Sequence, residues 1–298
     1  MSSACEIRVD GDDRPALERA ALLAIEEVRR IETKYSRYRH DSIVSRINAA
    51  AGRDAVEVDA ETAALLDFAD RLHRLSEGLF DITSGVLRRC WDFRHSRRPQ
   101  PGELEAVLPL IGWDRVVREG TRVGLPSAGM ELDFGGFGKE YAADRAAAAL
   151  AEAGLHHGFV NLGGDIRVVG PRSDRTPWHF RIQHPRREDD TIAGVDMIEG
   201  ALATSGDYER SFVLDGARYC HILDPRTGWP VRGWASVSVT APACVAAGAL
   251  STIAMLKGDA ATAFLTTQRA TWFAVDTDLR TFHHDLADAS RFDTGSPP

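Results

Sequence analysis

The sequence predicts an α+β protein, because short runs typical of strands are broken by amphipathic helices without a strict alternation of the two. Its 298 residues, of which 44% are apolar and 27% charged, can bury a large core. The formal charge of −8 argues against a general nucleic-acid or membrane-surface binder, since both need a basic field. No window reaches about 18 uninterrupted apolar residues, so no membrane span is expected.

Apolar residues at helical spacing predict four longer helices and one short helix. Pro15 stands in the first turn of the first helix, where a missing N–H is tolerated. Asp59 can cap the second helix, and Gly78 lies past its end. The predicted helices cover residues 15–35, 60–75, 140–153 and 244–257, and Asp259 opens the short one.

Strands are predicted at short apolar runs, which dominate the second half of the chain. The predicted strands are residues 5–9, 116–118, 122–125, 130–133, 158–162, 166–169, 178–182, 193–198, 211–213, 237–240 and 271–275. The sequence contains no internal repeat or low-complexity tract, and we expect a single domain over residues 1–285. The polar residues 286–298 are expected to form a disordered tail.

The four cysteines, Cys5, Cys90, Cys220 and Cys244, lie far apart and form no CxxC pair. A structural zinc site or a disulfide framework is therefore not expected, and the thiols fit a reducing compartment. The first residues show no basic region followed by an apolar run, so no signal peptide is expected. These observations predict a cytoplasmic protein.

Five stretches are too polar and too rich in glycine to be scaffold alone. They are residues 35–48, 78–83, 132–141, 161–165, and 203–210 with 221–228 close behind. Residues 132–141 are predicted to form a strand, a glycine turn and a helix. The backbone N–H groups of the turn and of the helix N-terminus can approach a phosphate, and Lys139 adds positive charge. The alternative is a tight turn that needs glycine for a positive φ. Residues 161–165 leave the same alternatives open, since Asp165 can also cap a turn.

His221 is the strongest candidate among the histidines for a catalytic role. A lone histidine is more often structural than catalytic, but His221 stands beside the charged turn 224–228. Imidazole titrates near neutral pH and can take up a proton during a reaction. No Gly-x-Ser-x-Gly elbow, HExxH motif or paired-cysteine site competes with it in the sequence.

Taken in order, the five stretches resemble the ApbE family of FAD:protein FMN transferases, over nearly the whole chain from about Cys5 to Gly258. The most specific matches are Thr204–Arg210, His221–Gly228 and Asn161–Asp165. The resemblance implies an ApbE-like, T-fold-related architecture of two α+β halves with a flavin cleft between them. It also implies a phosphoryl transfer in which a Thr or Ser hydroxyl of an acceptor protein attacks the FMN phosphorus of FAD, and AMP leaves.

The resemblance also assigns residues to this reaction. FAD is the substrate, and contacts to it are expected from Tyr38, Leu79, Phe80, Asp81, Asp133, Lys139 and Ile222. Mg²⁺ is the expected metal ion, held by the Gly136 carbonyl and the Thr252 hydroxyl, with Ser251 as a further candidate. His221 is the expected proton acceptor, and Asp165 either takes that role or orients the base. The implied partners are FAD and an acceptor protein with a Thr or Ser site, with neither nucleic acid nor membrane.

One position departs from the family pattern. The family has an Asp four residues before the Thr that matches Thr252, but this chain has Gly248 there, and Glu140 stands where the family usually has Gly. A glycine offers no carboxylate to a hard cation. Either Ser251 or Glu140 rebuilds the metal site, or metal binding and activity have both been lost. Gly248→Asp is then expected to tighten Mg²⁺ binding and raise activity at a modest cost in stability.

Two rival functions follow from this departure and from the chemistry. The first is a catalytically decayed FAD-binding protein, which the glycine at position 248 favours. The second is an FAD pyrophosphatase, in which water replaces the acceptor hydroxyl and the products are FMN and AMP. The products formed from FAD distinguish all three functions.

Overall fold

The computed structural model describes residues 4–285 and 292–293. The chain forms two compact units, the first from residues 1–32, 137–208 and 232–298 and the second from residues 33–136 and 209–231. Both contain helices and strands, so the predicted α+β class is confirmed. The helices are α1 (Arg14–Tyr35), α2 (Ile43–Ala49), α3 (Ala60–Leu75), α4 (Glu103–Val107), α5 (Gly138–Glu152), α6 (Cys244–Lys257) and α7 (Ala261–Thr267).

The strands alternate with these helices in groups. They are β1 (Cys5–Val9), β2 (Val56–Glu57), β3 (Val117–Glu119), β4 (Arg122–Gly124), β5 (Gly158–Leu162), β6 (Asp165–Gly170), β7 (Trp178–Gln183), β8 (Thr191–Met197), β9 (Ala201–Gly206), β10 (Ser211–Leu214), β11 (Ala217–Cys220), β12 (Trp234–Ala241), β13 (Thr271–Asp276), β14 (Thr281–His284) and β15 (Phe292–Asp293). Short 3₁₀ helices complete the chain, and the longest of them is Ile82–Arg89.

The first unit has three layers around a seven-stranded antiparallel sheet in the order β1-β5-β6-β9-β12-β13-β14. Helices α5 and α6 pack together on its central strands. A smaller sheet, β15-β8-β7, contributes to the apolar core. Because side chains alternate along a strand, β9 serves both layers: Leu202 lies in the core with the small sheet, and Ser205 bonds to α6.

The second unit combines the sheet β2-β4-β3, the hairpin β10-β11 and helices α2, α3 and α4. Its core includes an aromatic group in which Trp91 lies 5.6 Å from Tyr219 and 6.4 Å from Phe212, measured between ring centroids. The indole Nε1 of Trp91 donates a hydrogen bond of 2.8 Å to the carbonyl of Gly228. The segment 209–231 is thereby fixed to the rest of its unit.

Several local predictions are confirmed. Asp59 caps α3, since its Oδ1 accepts the N–H of Thr62 at 2.9 Å. Gly78 follows the helix with φ +84°, a conformation that favours glycine. The helix predicted at 244–257 has those bounds as α6.

The strand predicted at residues 130–133 is wrong. The backbone there is irregular because a side chain takes the place of a neighbouring strand. Asn48 accepts the N–H of Leu132 at 2.6 Å and donates to its carbonyl at 2.9 Å. Strand β9 and helix α2 were not predicted, since their polar residues were assigned to chemistry rather than to secondary structure.

The tail predicted at residues 286–298 lies outside the described residues except for Phe292 and Asp293, which pair with Val195 and Gly194. The single domain expected over residues 1–285 stays a prediction. One described stretch, Cys244–Thr267, is long and apolar enough to cross a membrane, and half of it is buried inside the fold. It contains α6, which packs on β9 and β12, and a packed core helix meets the same criteria.

Candidate active site

The predicted site residues are divided between the two units. The first unit contains Lys139, Asp165, Ser251 and Thr252. The second unit contains Tyr38, Leu79, Phe80, Asp81, Asp133, Gly136, His221 and Ile222. Glu140 and Gly248, the two positions of the departure, both belong to the first unit.

In the first unit, residues 161–165 form the tight turn between β5 and β6. Leu162 pairs with Asp165, which leaves a two-residue loop of Gly163 and Gly164 at φ +63° and +92°. Two positive φ values in such a loop are typical of a type I′ hairpin. Asn161, rather than Asp165, caps the turn, because its Oδ1 accepts the N–H of Gly164 at 2.9 Å.

Gly164 offers a direct test of this turn. A Cβ at Gly164 would meet no atom within 4 Å, so Gly164→Ala adds only backbone strain. We expect it to lower the free energy of unfolding by roughly 1–2 kcal/mol, as measured in urea. Gly164→Asn is the control, since Asn tolerates the left-handed region and should lose less. Equal losses in the two variants would contradict this account of the turn.

The hairpin positions Asp165 beside the start of α5. Lys139 Nζ lies 2.7 Å from Asp165 Oδ2 and donates to the Gly163 carbonyl at 3.2 Å. Asp165 is buried at 3% exposure, whereas the Lys139 side chain is about one third exposed, so the acid is the buried member of this ion pair. The hydrogen bond and the ion pair join helix α5 to the turn, and the resulting carboxylate is oriented rather than free to rotate.

Glu140 is the next residue along α5, and it is a buried acid at 7% exposure. Burial raises the pKa of its carboxyl to about 8, the negative charge of Asp165 adds to this, and Lys139 opposes it. Among the residues that the structure describes, Oε2 of Glu140 is buried without a hydrogen-bond partner. Buried polar atoms are normally paired, so this oxygen requires an explanation.

The residue of helix α6 that faces Glu140 is Gly248. A Cβ at Gly248 would lie 2.6 Å from Cγ and 2.8 Å from Oε1 of Glu140, so the two side chains could not coexist without movement. On the same helix, the Ser251 hydroxyl lies 2.8 Å from that of Ser205, which also lies 3.1 Å from the Thr252 hydroxyl. Three hydroxyls are therefore gathered on β9 and α6.

In the second unit, Arg37 links two of the predicted FAD contacts. Its guanidinium lies over the ring of Tyr38 at 4.9 Å, donates to the Tyr38 hydroxyl at 2.8 Å, and forms an ion pair with Asp133. Tyr38 is 79% exposed, which leaves its ring accessible to a planar ligand. Arg37 was not predicted, although it stands inside the first polar stretch.

The glycine turn after Asp133 does not need glycine for its dihedral angles. Gly135 and Gly136 are not among the positive-φ residues of the described chain. The alternative that this turn needs glycine for a positive φ is therefore wrong. The glycines permit close approach instead: a Cβ at Gly136 would lie 2.8 Å from Cζ of Phe80, and one at Gly135 would lie 3.1 Å from Oδ1 of Asp133. Asp133 also accepts the N–H of Gly135 at 2.8 Å.

Leu79, Phe80 and Asp81 are all buried. The Asp81 carboxylate caps the 3₁₀ helix Ile82–Arg89, accepting from the N–H and hydroxyl of Thr83 at 2.7 and 2.6 Å. Its second oxygen accepts the N–H of Trp113 at 3.0 Å. Both carboxylate oxygens are thus engaged within the unit, and Asp81 holds the shape of this segment.

His221 and Ile222 stand before the charged turn 224–228. The N–H of His221 donates to the Arg210 carbonyl at 3.0 Å, and Ile222 is buried. Asp224 accepts the N–H of Arg226 at 2.8 Å and pairs with its guanidinium at the same distance. The charges that drew attention to this turn therefore stabilise it.

Comparison with known proteins decides the family. The ApbE family model matches residues 1–274. The chain belongs to the ApbE family. It is 32% identical over 235 residues, 77% of this chain and 70% of the relative, to a FAD:protein FMN transferase of Vibrio cholerae. It is 34% identical over 281 residues, 87% of this chain and 77% of the relative, to a FAD:protein FMN transferase of Treponema pallidum.

Solved ApbE structures share the fold. An ApbE protein of Thermotoga maritima superimposes with a TM-score of 0.87 at 34% identity, over 95% of this chain and 94% of that one. The flavin transferase ApbE of Vibrio cholerae gives a TM-score of 0.82 at 28% identity, over 96% and 94%. The ApbE-like architecture expected from the sequence motifs is confirmed.

No group of three or more His, Cys, Asp and Glu side chains within residues 4–285 and 292–293 is arranged to hold a metal ion. A metal site with fewer acidic side chains needs further oxygen ligands, such as hydroxyl or carbonyl groups. Hard cations such as Mg²⁺ take such mixed oxygen ligands.

Proposed function

We propose that this ApbE chain is a FAD:protein FMN transferase that moves FMN from FAD to a Thr or Ser hydroxyl of an acceptor protein. The observation that carries the proposal is the family match over residues 1–274, whose relatives bear that enzyme name. The match includes all five polar stretches. It supports an enzyme more than a binding protein, because those stretches contain catalytic candidates as well as ligand contacts.

In the proposed reaction, the acceptor oxygen attacks the FMN phosphorus of FAD. A new P–O bond forms to the acceptor, the P–O bond to the AMP half breaks, and AMP leaves with the bridging oxygen. His221 takes the proton of the acceptor hydroxyl. Asp165 is the second candidate for this proton, but its ion pair with Lys139 at 2.7 Å favours a positioning role.

The proposed FAD contacts follow from the environment of each residue. The exposed ring of Tyr38, covered on one face by Arg37, is available to the isoalloxazine. Asp133, fixed by Arg37 and by Gly135, and Lys139 supply charged groups to the nucleotide half. Leu79, Phe80 and Ile222 offer apolar and backbone contacts, and Asp81 preserves the backbone of its segment.

The oxygen donors of the first unit fit a Mg²⁺ ion. The Thr252 and Ser251 hydroxyls lie together with that of Ser205, and an unpartnered carboxylate oxygen of Glu140 lies on the facing helix. The Gly136 carbonyl, which the family pattern adds to this set, belongs to the second unit and stays a prediction. A Mg²⁺ ion held by these oxygens would supply positive charge that offsets the negative charge of the pyrophosphate. The chain holds these oxygens on helix α6, strand β9 and the start of α5, which are rigid elements.

This arrangement predicts tighter binding of FAD than of FMN. Asp133 and Lys139 are proposed to reach the ADP half, which FMN lacks, and one hydrogen bond to a charged group contributes about 1.5–3 kcal/mol. We therefore expect FAD to bind at least about tenfold more tightly in calorimetry. Equal affinities for the two flavins would show that these residues contact only the FMN half.

Mass spectrometry of the reaction products tests the function. The protein is incubated with FAD, Mg²⁺ and a candidate acceptor, and the acceptor mass is measured. An acceptor heavier by one FMN, with AMP in solution, is the expected result. Free FMN and AMP would instead identify a pyrophosphatase, and unchanged FAD with every acceptor tried would identify a binding protein.

A further inference from the structure

Helices α5 and α6 meet at a contact between an acid and a glycine. Glu140 and Gly248 fit together because the acid occupies the space that a side chain at position 248 would need: a Cβ there would lie 2.6 Å from Glu140 Cγ. Helix α6 therefore brings no carboxylate to this place, and helix α5 does. The two helices pack directly against each other, and both lie in the first unit.

The Glu140 carboxyl group interacts with Asp165 but is only partly satisfied by the protein around it. The residue is 7% exposed, and within the described chain its Oε2 has no hydrogen-bond partner. Asp165, a second buried acid, adds negative charge beside it. The ammonium group of Lys139 opposes this charge and lies 2.7 Å from Asp165. A cation bound at this oxygen would stabilise the ionised form of the carboxyl group, which burial and Asp165 otherwise disfavour.

The neighbouring oxygens suit a small hard cation. Positions 248 and 252 are four residues apart on α6 and therefore lie on one face of that helix. The Glu140 carboxylate of α5 lies against this face at Gly248, and the Thr252 hydroxyl belongs to the same face. The Ser205 hydroxyl joins those of Ser251 and Thr252, at 2.8 and 3.1 Å. Carboxylate and hydroxyl oxygens are the ligands that Mg²⁺ and Mn²⁺ prefer, and they do not suit a soft metal.

We propose that Glu140 supplies the carboxylate ligand of the divalent cation in this chain, from helix α5, in place of a ligand that α6 lacks at Gly248. The inference rests on the proposed FMN transferase function for the identity of the metal. It assigns Glu140 and Gly248 as a matched pair, in which the acid on one helix requires the glycine on the other. Ser251, the other candidate for rebuilding the site, is then a neighbour of the ligands.

The test measures metal binding without turnover. Mn²⁺ is titrated into the full-length protein with FAD present and acceptor absent, and free Mn²⁺ is followed by its paramagnetic resonance signal. Glu140→Gln keeps the shape of the side chain and removes the charge, and it should weaken Mn²⁺ binding at least about tenfold, since even partners of metal ligands contribute 10–100-fold. Thermal melting confirms that this variant is folded.

Two further variants complete the design. Glu140→Gly with Gly248→Asp returns the carboxylate to α6 and should restore Mn²⁺ affinity to within about threefold of the parent protein. Asp144→Asn is the matched control, because Asp144 is another acid on α5 whose oxygens accept the N–H groups of Cys244 and Val245 at 2.8 and 2.9 Å. It should leave Mn²⁺ affinity unchanged.

Unchanged Mn²⁺ affinity in Glu140→Gln would overturn the inference, as would equal weakening by Asp144→Asn. Because no acceptor is present, the result does not depend on whether FMN is transferred. A protein that binds Mn²⁺ through Glu140 but modifies no acceptor would retain this inference and contradict the transferase function. If the Glu140→Gln variant transfers FMN and binds Mn²⁺ as tightly as the parent protein, the transferase function is supported and this inference is contradicted.

Discussion

Replacing His221 with alanine should slow FMN transfer by about 10²-fold or more while FAD still binds. A positioned acid–base group contributes about 10²–10⁴-fold to a rate, and His221 is proposed to take the proton of the acceptor hydroxyl. Because the role concerns the acceptor and not FAD, the dissociation constant for FAD should change little. Single-turnover mass spectrometry of the acceptor gives the rate, and calorimetry gives the affinity.

His95→Ala is the control for this experiment. His95 lies in the same unit, its side chain is 80% exposed, and it pairs with Asp92, so its loss should leave transfer unchanged. Asp165→Asn separates the two candidates for the base. If His221→Ala keeps the parent rate and Asp165→Asn does not, the proton goes to Asp165.

Gly248→Asp, taken alone, should destabilise the protein strongly. The packing around position 248 therefore predicts a larger loss of stability than the modest cost expected from sequence. The new Cβ would lie 2.6 Å from Cγ of buried Glu140, and a third carboxylate would join those of Glu140 and Asp165. Overpacking alone costs about 1–3 kcal/mol, so we expect the melting temperature to fall by roughly 5 °C or more.

Gly248→Ala separates the steric from the charge effect, because it introduces the Cβ without a carboxylate. Its free energy of unfolding, measured in urea, should lie between that of the parent protein and that of Gly248→Asp. Adding Glu140→Gly to Gly248→Asp removes the overlapping side chain and should recover most of the loss, so that the two changes are strongly non-additive. Additive losses would mean that positions 140 and 248 do not compete for one space.

Much of the fold was accessible from sequence because helices carry long local signals. Asp59 and Gly78 mark the ends of α3, and the apolar spacing of α6 gave both of its ends. The failure at residues 130–133 has a different origin. The partner of Leu132 is the side chain of Asn48, 84 positions away, and no local pattern reveals such a contact.

The candidate site was accessible in part. The polar stretches name the segments that carry the candidate residues, but they do not reveal the interactions that each residue makes: Asp81 is a helix cap, and the charges of the turn 224–228 bond to one another. Arg37 was overlooked, since a charged residue in a polar stretch is usually solvated. The pairing of Glu140 with Gly248 needed coordinates, because it joins two helices 108 positions apart in sequence, the separation from 140 to 248.

The ratio of AMP released to FMN covalently bound tests the account most directly. FAD, Mg²⁺, the protein and an acceptor are combined, AMP is quantified by chromatography, and bound FMN is quantified on the separated acceptor. Transfer predicts one AMP for each FMN on the acceptor and no free FMN. Free FMN equal to the AMP, with an unmodified acceptor, would contradict it and assign FAD hydrolysis to this chain.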